Sequence, residues 1–382
     1  MNFEAEYKKG QLGDNIGLTT GISSLDIAMN GLQRKSIYGI GAPPKAGKTT
    51  FLDFAFVLSP YLYSISEDVD VEIEWIYFSF EIDRIRKEFK YACYFLYHDH
   101  NVNIIELPQG VTHKGSNRIQ ISSNYLMGKL RDDNQNLITV NSQVEQKLDI
   151  VYKERIIPLF GLYDESGKKI TPGKIDFIEA KENPTGLRNY LLRYADQNGE
   201  FIYESYKTLE NGREVEKNRI IGYKPNNPKK YVVIVTDHLR KLNRERGYSE
   251  KENIDKYIEY QVELRNWCGY TFVDIIHTNR SLSSVERLKF NNEYVYPTGD
   301  DIKGTGNLSE EADFLLTMFN PNDEKYSIKK HFDLQIKDED GGELFPFYRS
   351  LHLVESRDTE CPQHLQVNMF GNINSFSKIN NN

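Results

Sequence analysis

The sequence predicts an α/β fold with a mostly parallel central sheet flanked by helices, plus inserted β-rich segments. Three observations predict it. Residues 37–52 read as a buried strand, a tight loop and the start of a helix. Residues 73–82 and 230–238 are apolar runs continuous enough to be buried on both faces, as a parallel sheet requires. Segments with helical periodicity lie between these strands, and the alternation of strand and helix is the pattern of parallel α/β architecture.

A chain of 382 residues has room for a sizeable core. Its 39% hydrophobic and 27% charged content suits an ordinary globular protein, and Asp53 interrupts the best candidate for a bilayer-crossing run, so no membrane span is expected. The first residues lack the apolar stretch of a secretory signal. Cys93, Cys268 and Cys361 are scattered without C-x-x-C spacing, which argues against a zinc site or a disulfide framework and suits a reducing cytoplasm. A net charge of −8 excludes coating nucleic acid by bulk electrostatics, so any such contact must be local.

Residues 1–18 are polar, with three glycines, and are expected to form an arm or linker ahead of a single domain over 19–382. A short helix carrying Leu25, Ala28 and Met29 follows, with Ser23 or Ser24 as its cap and Gly31 as its stop. Next come the strand, loop and helix at 37–52, the strand at 73–82, and a helix from Asp83 to about Tyr97 with Ile85, Phe89, Ala92, Cys93 and Leu96 on one face. Insertions are expected within about 99–228, including a helix over 183–199 and a hairpin around Asn211 and Gly212. The core resumes with the strand at 230–238, a helix over 252–268 and a strand over 270–277. Apolar runs at 313–319, 332–336, 350–355 and 365–370 are expected to extend the sheet.

The loop carries the chemistry. Ala42, Pro43, Pro44, Lys45, Ala46, Gly47, Lys48 and Thr49 follow the phosphate-loop pattern G-x-x-x-x-G-K-[ST], except that Ala42 stands in place of the first glycine; Thr50 follows. Backbone N–H groups and the helix start form a nest for phosphate oxygens. Lys48 is expected to reach the β- and γ-phosphates of ATP, and Thr49 to hold Mg²⁺ through its hydroxyl. Asp237, delivered by a buried strand to its C-terminal end, is the second expected Mg²⁺ residue, beside the loop.

Hydrolysis also needs a carboxylate to orient and deprotonate water. Many ATPases of this kind place a Glu directly after the magnesium Asp, but His238 stands there. Glu81, at the end of the strand after the loop helix, is therefore the expected base.

In these motifs the chain resembles the RecA-like motor domain of DnaB-type replicative helicases, a superfamily that includes the helicase half of phage primase-helicases. Residues 20–33 resemble the family's entry to the phosphate loop, and Tyr77-Phe-Ser-Phe-Glu-Ile82 is similar to its Phe-Ser-Leu-Glu-Met, which puts Glu81 on the catalytic base. Residues 276–282 are similar to the γ-phosphate-sensing segment, implying that role for His277. Residues 301–313 resemble the DNA-gripping loop, with Lys303, Gly304, Thr305 and Gly306 on the strand-holding positions. Arg357 falls on the arginine finger of a Lys-x-Arg motif whose lysine is replaced by Glu355. The resemblance implies ATP and Mg²⁺ as cofactors, single-stranded DNA as partner, a homo-hexameric ring, and a primase or helicase loader as a further partner. It has no counterpart to the family's N-terminal primase-contacting domain and leaves much of 81–237 unmatched. A recombinase or DNA-remodelling ATPase that does not unwind, and an assembly module merely locked by ATP, are the alternatives.

Overall fold

The computed structural model describes residues 3–11, 16–210, 213–278, 292–302 and 307–379. Its centre is a sheet of nine strands, numbered here in chain order: β1 (Ile37–Ala42), β2 (Glu72–Ser79), β3 (Ile175–Ile178), β4 (Lys230–Asp237), β5 (Thr271–His277), β6 (Phe314–Phe319), β7 (Tyr348–Ser356), β8 (Gln363–Phe370) and β9 (Ser375–Lys378). Across the sheet the order is β9-β8-β7-β6-β1-β5-β4-β2-β3. The six strands from β6 to β3 run parallel, and β7, β8 and β9 continue the sheet antiparallel.

Side chains alternate across these strands, so the sheet has two apolar faces and needs cover on both. Tyr38, Ile40, Trp75, Tyr77, Val233, Val235, Val273 and Ile275 join the core that packs the helices Ser23–Met29, Lys48–Asp53 and Arg84–His100. Ile37, Ile76, Phe78, Ile234, Phe272 and Ile276 face the helices Pro184–Asn198 and Glu250–Cys268 on the other side. The predicted α/β class with a mostly parallel, helix-flanked sheet is what forms.

The phosphate-loop helix does not stop at Asp53. It runs on through a π-helical turn, Phe54–Leu58, into Ser59–Ser64, with Pro60 in the first turn of that last piece. Proline has no N–H to offer the carbonyl four residues back, which is that of Phe56. The Trp75 indole N–H donates to that carbonyl instead, at 2.8 Å and fully buried, so the helix is tied to β2 at the point where its own ladder fails.

Several expectations need correction. Neither Ser23 nor Ser24 caps the helix Ser23–Met29; Ile22 holds the cap position without a side-chain bond, and Asn30, in the left-handed region, ends it. Asp26 organises that turn by accepting from the Thr19 hydroxyl and from the Thr20 N–H and hydroxyl. The run at 332–336 does not extend the central sheet: Lys330–His331 and Leu334–Gln335 form a two-stranded piece of their own. Residues 3–11 are helical rather than an irregular arm. Within 99–228, Ile175–Ile178 is an edge strand of the main sheet, so part of that segment is core. The expected hairpin is there, long and antiparallel, pairing Gly199–Glu210 with Arg213–Pro225; its tip, Asn211 and Gly212, lies outside the described residues.

Candidate nucleotide site

At the C-terminal end of β1 the chain turns through Pro43 to Gly47 and enters the helix at Lys48. Ala42 is the last residue of the strand, paired in register with His277. It is absent from the residues with positive φ, so nothing there demands glycine and a β-carbon is tolerated. Gly47 is different: its φ is 104°, and a β-carbon would meet Met369 Sδ at 2.2 Å. As N-cap it supplies no side chain to the helix start, which leaves the first N–H groups free for an anion.

Lys48 is buried and its ammonium makes no ion pair or hydrogen bond among the described residues. Burial pulls its pKa below the usual lysine value, while Asp237 and Glu81 push it back up. Asp237 ends β4, two strands from β1, with β5 between them, so it is not directly beside the loop strand. It is 1% exposed, and neither of its carboxylate oxygens accepts a hydrogen bond of normal geometry. Burial raises its pKa; Lys87 and the neighbouring Thr49 hydroxyl counter that. A buried ammonium and a buried carboxylate, both without a full set of partners, fit a triphosphate with its hydrated Mg²⁺, the one through charge and the other through water.

Glu81 lies two residues beyond β2, whose Ser79 pairs with Asp237; the Phe80 N–H donates to the Asp237 carbonyl at 2.9 Å. This register carries the Glu81 carboxylate to His238, whose Nε2–H donates to Oε1 at 3.1 Å. Lys241 stands 3.8 Å away. Burial alone would raise the Glu81 carboxyl, but His238, Lys241 and Lys48 together hold it below the ordinary value. His238 is pushed down to about 4 by burial and then by His277, so it is neutral near pH 7. Its ring stands edge-on to that of His277, with centroids 4.6 Å apart. His277 ends β5, level with Ala42, and burial followed by Lys48 lowers its pKa. The donor atoms of Glu81, His238 and His277 lie within 4.8 Å of one another.

Sequence reasoning finds His238 only as the loss of an adjacent base. Its contact with Glu81 depends on the pairing of β2 with β4, whose facing ends Ser79 and Lys230 are 151 residues apart in the chain, so no local signal announces it. Arg357 follows β7 and lies at the opposite end of the sheet from the loop: Ser356 pairs with Phe314, which pairs with Tyr38 near the start of β1. Its guanidinium donates to the Glu310 carbonyl at 3.0 Å and stands 3.6 Å from Glu311 and 3.7 Å from Asp313. Lys303, Gly304, Thr305 and Gly306 lie outside the described residues.

No protein-family model and no curated protein sequence matches the chain. Solved structures do. The isolated ATPase domain of a helicase superposes with a TM-score of 0.61 at 13% identity, covering 98% of this chain and 96% of that one. A DnaB-like replicative helicase, described with its interactions with primase, superposes with a TM-score of 0.59 at 14% identity; 98% of this chain is covered, but only 65% of the helicase. The chain has the RecA-like fold of these helicase ATPase domains.

Proposed function

We propose that the protein is an ATP-dependent motor that forms a ring on single-stranded DNA and separates duplex during replication. One observation carries the reading: Lys48, Glu81, Asp237 and His277, from four different strand ends, converge at the C-terminal edge of the parallel sheet. The fold shared with the two helicase ATPase domains supports it. When bound, Mg²⁺ would neutralise charge on the phosphates, held through Thr49 and Asp237. Lys48 binds phosphate oxygens. Glu81 orients water and accepts its proton, and His238 holds the Glu81 carboxylate in place. His277 is the group placed to read the γ-phosphate. Lys303 to Gly306 would grip the strand, and Arg357 would enter the site of a neighbouring subunit, since within its own subunit it lies a sheet length away, roughly 20 Å for six residues.

Glu81→Gln tests the catalytic assignment. It should keep nucleotide binding while ATP turnover falls by roughly 10²–10⁴; retained turnover would refute it. Strand separation on a forked duplex, compared with ATPase on single-stranded DNA alone, distinguishes a helicase from a remodelling ATPase that does not unwind.

A further inference from the structure

A second anion seat lies next to this site. Between the start of the helix Arg84–His100 and the short turn at 123–129 is a cavity of about 350 Å³. Ile82, the residue after Glu81, forms part of its wall, so it opens at the same end of the sheet as the nucleotide site. Its charged lining is Arg86, Lys90 and Lys129, with Ser123 and Asn124 as neutral hydrogen-bonding groups; no carboxylate lines it. In a chain of net charge −8, three cations around one acid-free cavity run against the average.

The arrangement is held in place. Ser122 caps the turn through the Tyr125 N–H, the Lys129 N–H donates to the Asn124 carbonyl at 2.8 Å, and Tyr125 and Leu126 are buried in the main core. Arg86 shares its charge with Asp83 at 3.1 Å. Among the described residues, the ammonium groups of Lys90 and Lys129 make no ion pair or hydrogen bond. Burial and then Lys87 lower the Lys90 pKa, with Asp53 and Asp237 opposing, so the free chain holds this ammonium at a cost that an anion would relieve.

We propose that this cavity is a phosphate-binding site separate from the phosphate loop, with Lys90 and Lys129 as its principal ligands. Orthophosphate and the phosphodiester of a single strand present the same chemistry to it. The site draws on the 99–228 insertion and on no residue of the hydrolytic machinery, so it stands independently of the motor reading.

The test uses the full chain without nucleotide, in a Lys48→Ala background that disables the phosphate loop. In one arm, thermal unfolding is followed with sodium phosphate against sodium chloride at matched ionic strength. Phosphate should raise the Tm of the background chain, and adding Lys90→Gln/Lys129→Gln should weaken phosphate binding on the order of tenfold or more. In the other arm, the anisotropy of fluorescein-labelled oligothymidylate is measured against salt. If a strand is the source, the double variant loses about 0.7 of salt slope per phosphate contact. A Tm response alone assigns the site to orthophosphate, and a slope change alone assigns it to the strand. Lys90→Arg/Lys129→Arg should keep the response if charge is what matters. Should the Gln pair compromise folding, the exposed Lys129→Gln alone serves. A neutral variant that matches its parent in both arms overturns the proposal.

Discussion

At the scale of single residues, three buried or half-buried groups decide how the site behaves with pH. His238 donates to Glu81 and, with Lys241 and Lys48, keeps its carboxyl below the ordinary value. His238→Ala should therefore move the acid limb of the ATPase pH profile upward and slow turnover, by up to roughly tenfold for a lost orienting hydrogen bond. An unmoved acid limb would mean that His238 does not act through Glu81. Asp274, on β5, is buried, and its oxygens accept no hydrogen bond of normal geometry, although Thr236 and Gln261 lie close. Burial raises its carboxyl from 3.8 to about 7. The folded state thus holds a proton that the unfolded chain has released, and stability is lost as pH rises from 3.8 through about 7. Asp274→Asn should remove that loss and stabilise the protein at pH 8, by on the order of 4 kcal/mol at most, read from denaturant midpoints.

At the scale of elements, the catalytic end of the sheet is braced by one buried ion pair. Lys87 Nζ lies 3.0 Å from both oxygens of Asp53 and donates to the Tyr77 hydroxyl at 2.8 Å; Tyr77 and Tyr91 both donate to Asp53 at 3.0 Å. Asp53 sits one turn beyond Thr49, Lys87 follows Glu81 by six residues, and Tyr77 is on β2 next to β4. The network therefore joins the three elements that carry Thr49, Glu81 and Asp237. Removing one partner strands a buried charge, so Lys87→Met should cost roughly 3–5 kcal/mol, while Lys87→Met with Asp53→Leu should recover most of it. Equal loss in the single and double variants would show that packing, not charge, is at stake. A second brace is the histidine group behind β6. His331 Nε2–H donates to the Val295 carbonyl and Nδ1 accepts from the Tyr348 hydroxyl, both at 2.8 Å, and burial holds its pKa at about 4. Here the unfolded state takes up the proton first, so stability falls as pH drops from 6.5 toward 4. His331→Phe should flatten that fall, which is worth on the order of 3 kcal/mol if the shift is fully realised.

At the scale of the whole molecule, the loop and Arg357 lie at opposite ends of one sheet, which makes the chain a half-site at each end. In the proposed ring an arginine entering from a neighbour raises phosphoryl-transfer rates by ~10³–10⁵. Specific activity should rise with subunit concentration, and Arg357→Ala should abolish that rise while shifting Tm little, since its surface pairs with Glu311 and Asp313 contribute ~0–1 kcal/mol. Full turnover by a dilute monomer would refute the trans assignment.

The α/β class, the phosphate loop and the carboxylates Glu81 and Asp237 are all legible in the chain, because strand burial, helical periodicity and the Gly47-Lys48-Thr49 core are local signals. Even the hairpin of 199–225 is marked, by one turn dipeptide. Local signals fail where the partner is distant. Ser23 and Ser24 look like caps, but Asp26 organises that turn by bonding Thr19 and Thr20. The run at 332–336 has strand composition, yet composition does not name a pairing partner, and it closes on itself. Nothing near Ile175 in the chain tells that it will pair with Trp75. It takes the assembled sheet to put β5 between the loop strand and Asp237, to set His238 against Glu81, and to face Arg357 away from its own loop. Each of these follows from sheet order and register, which arise from hydrogen bonds between segments scores of residues apart and leave no periodicity in the chain.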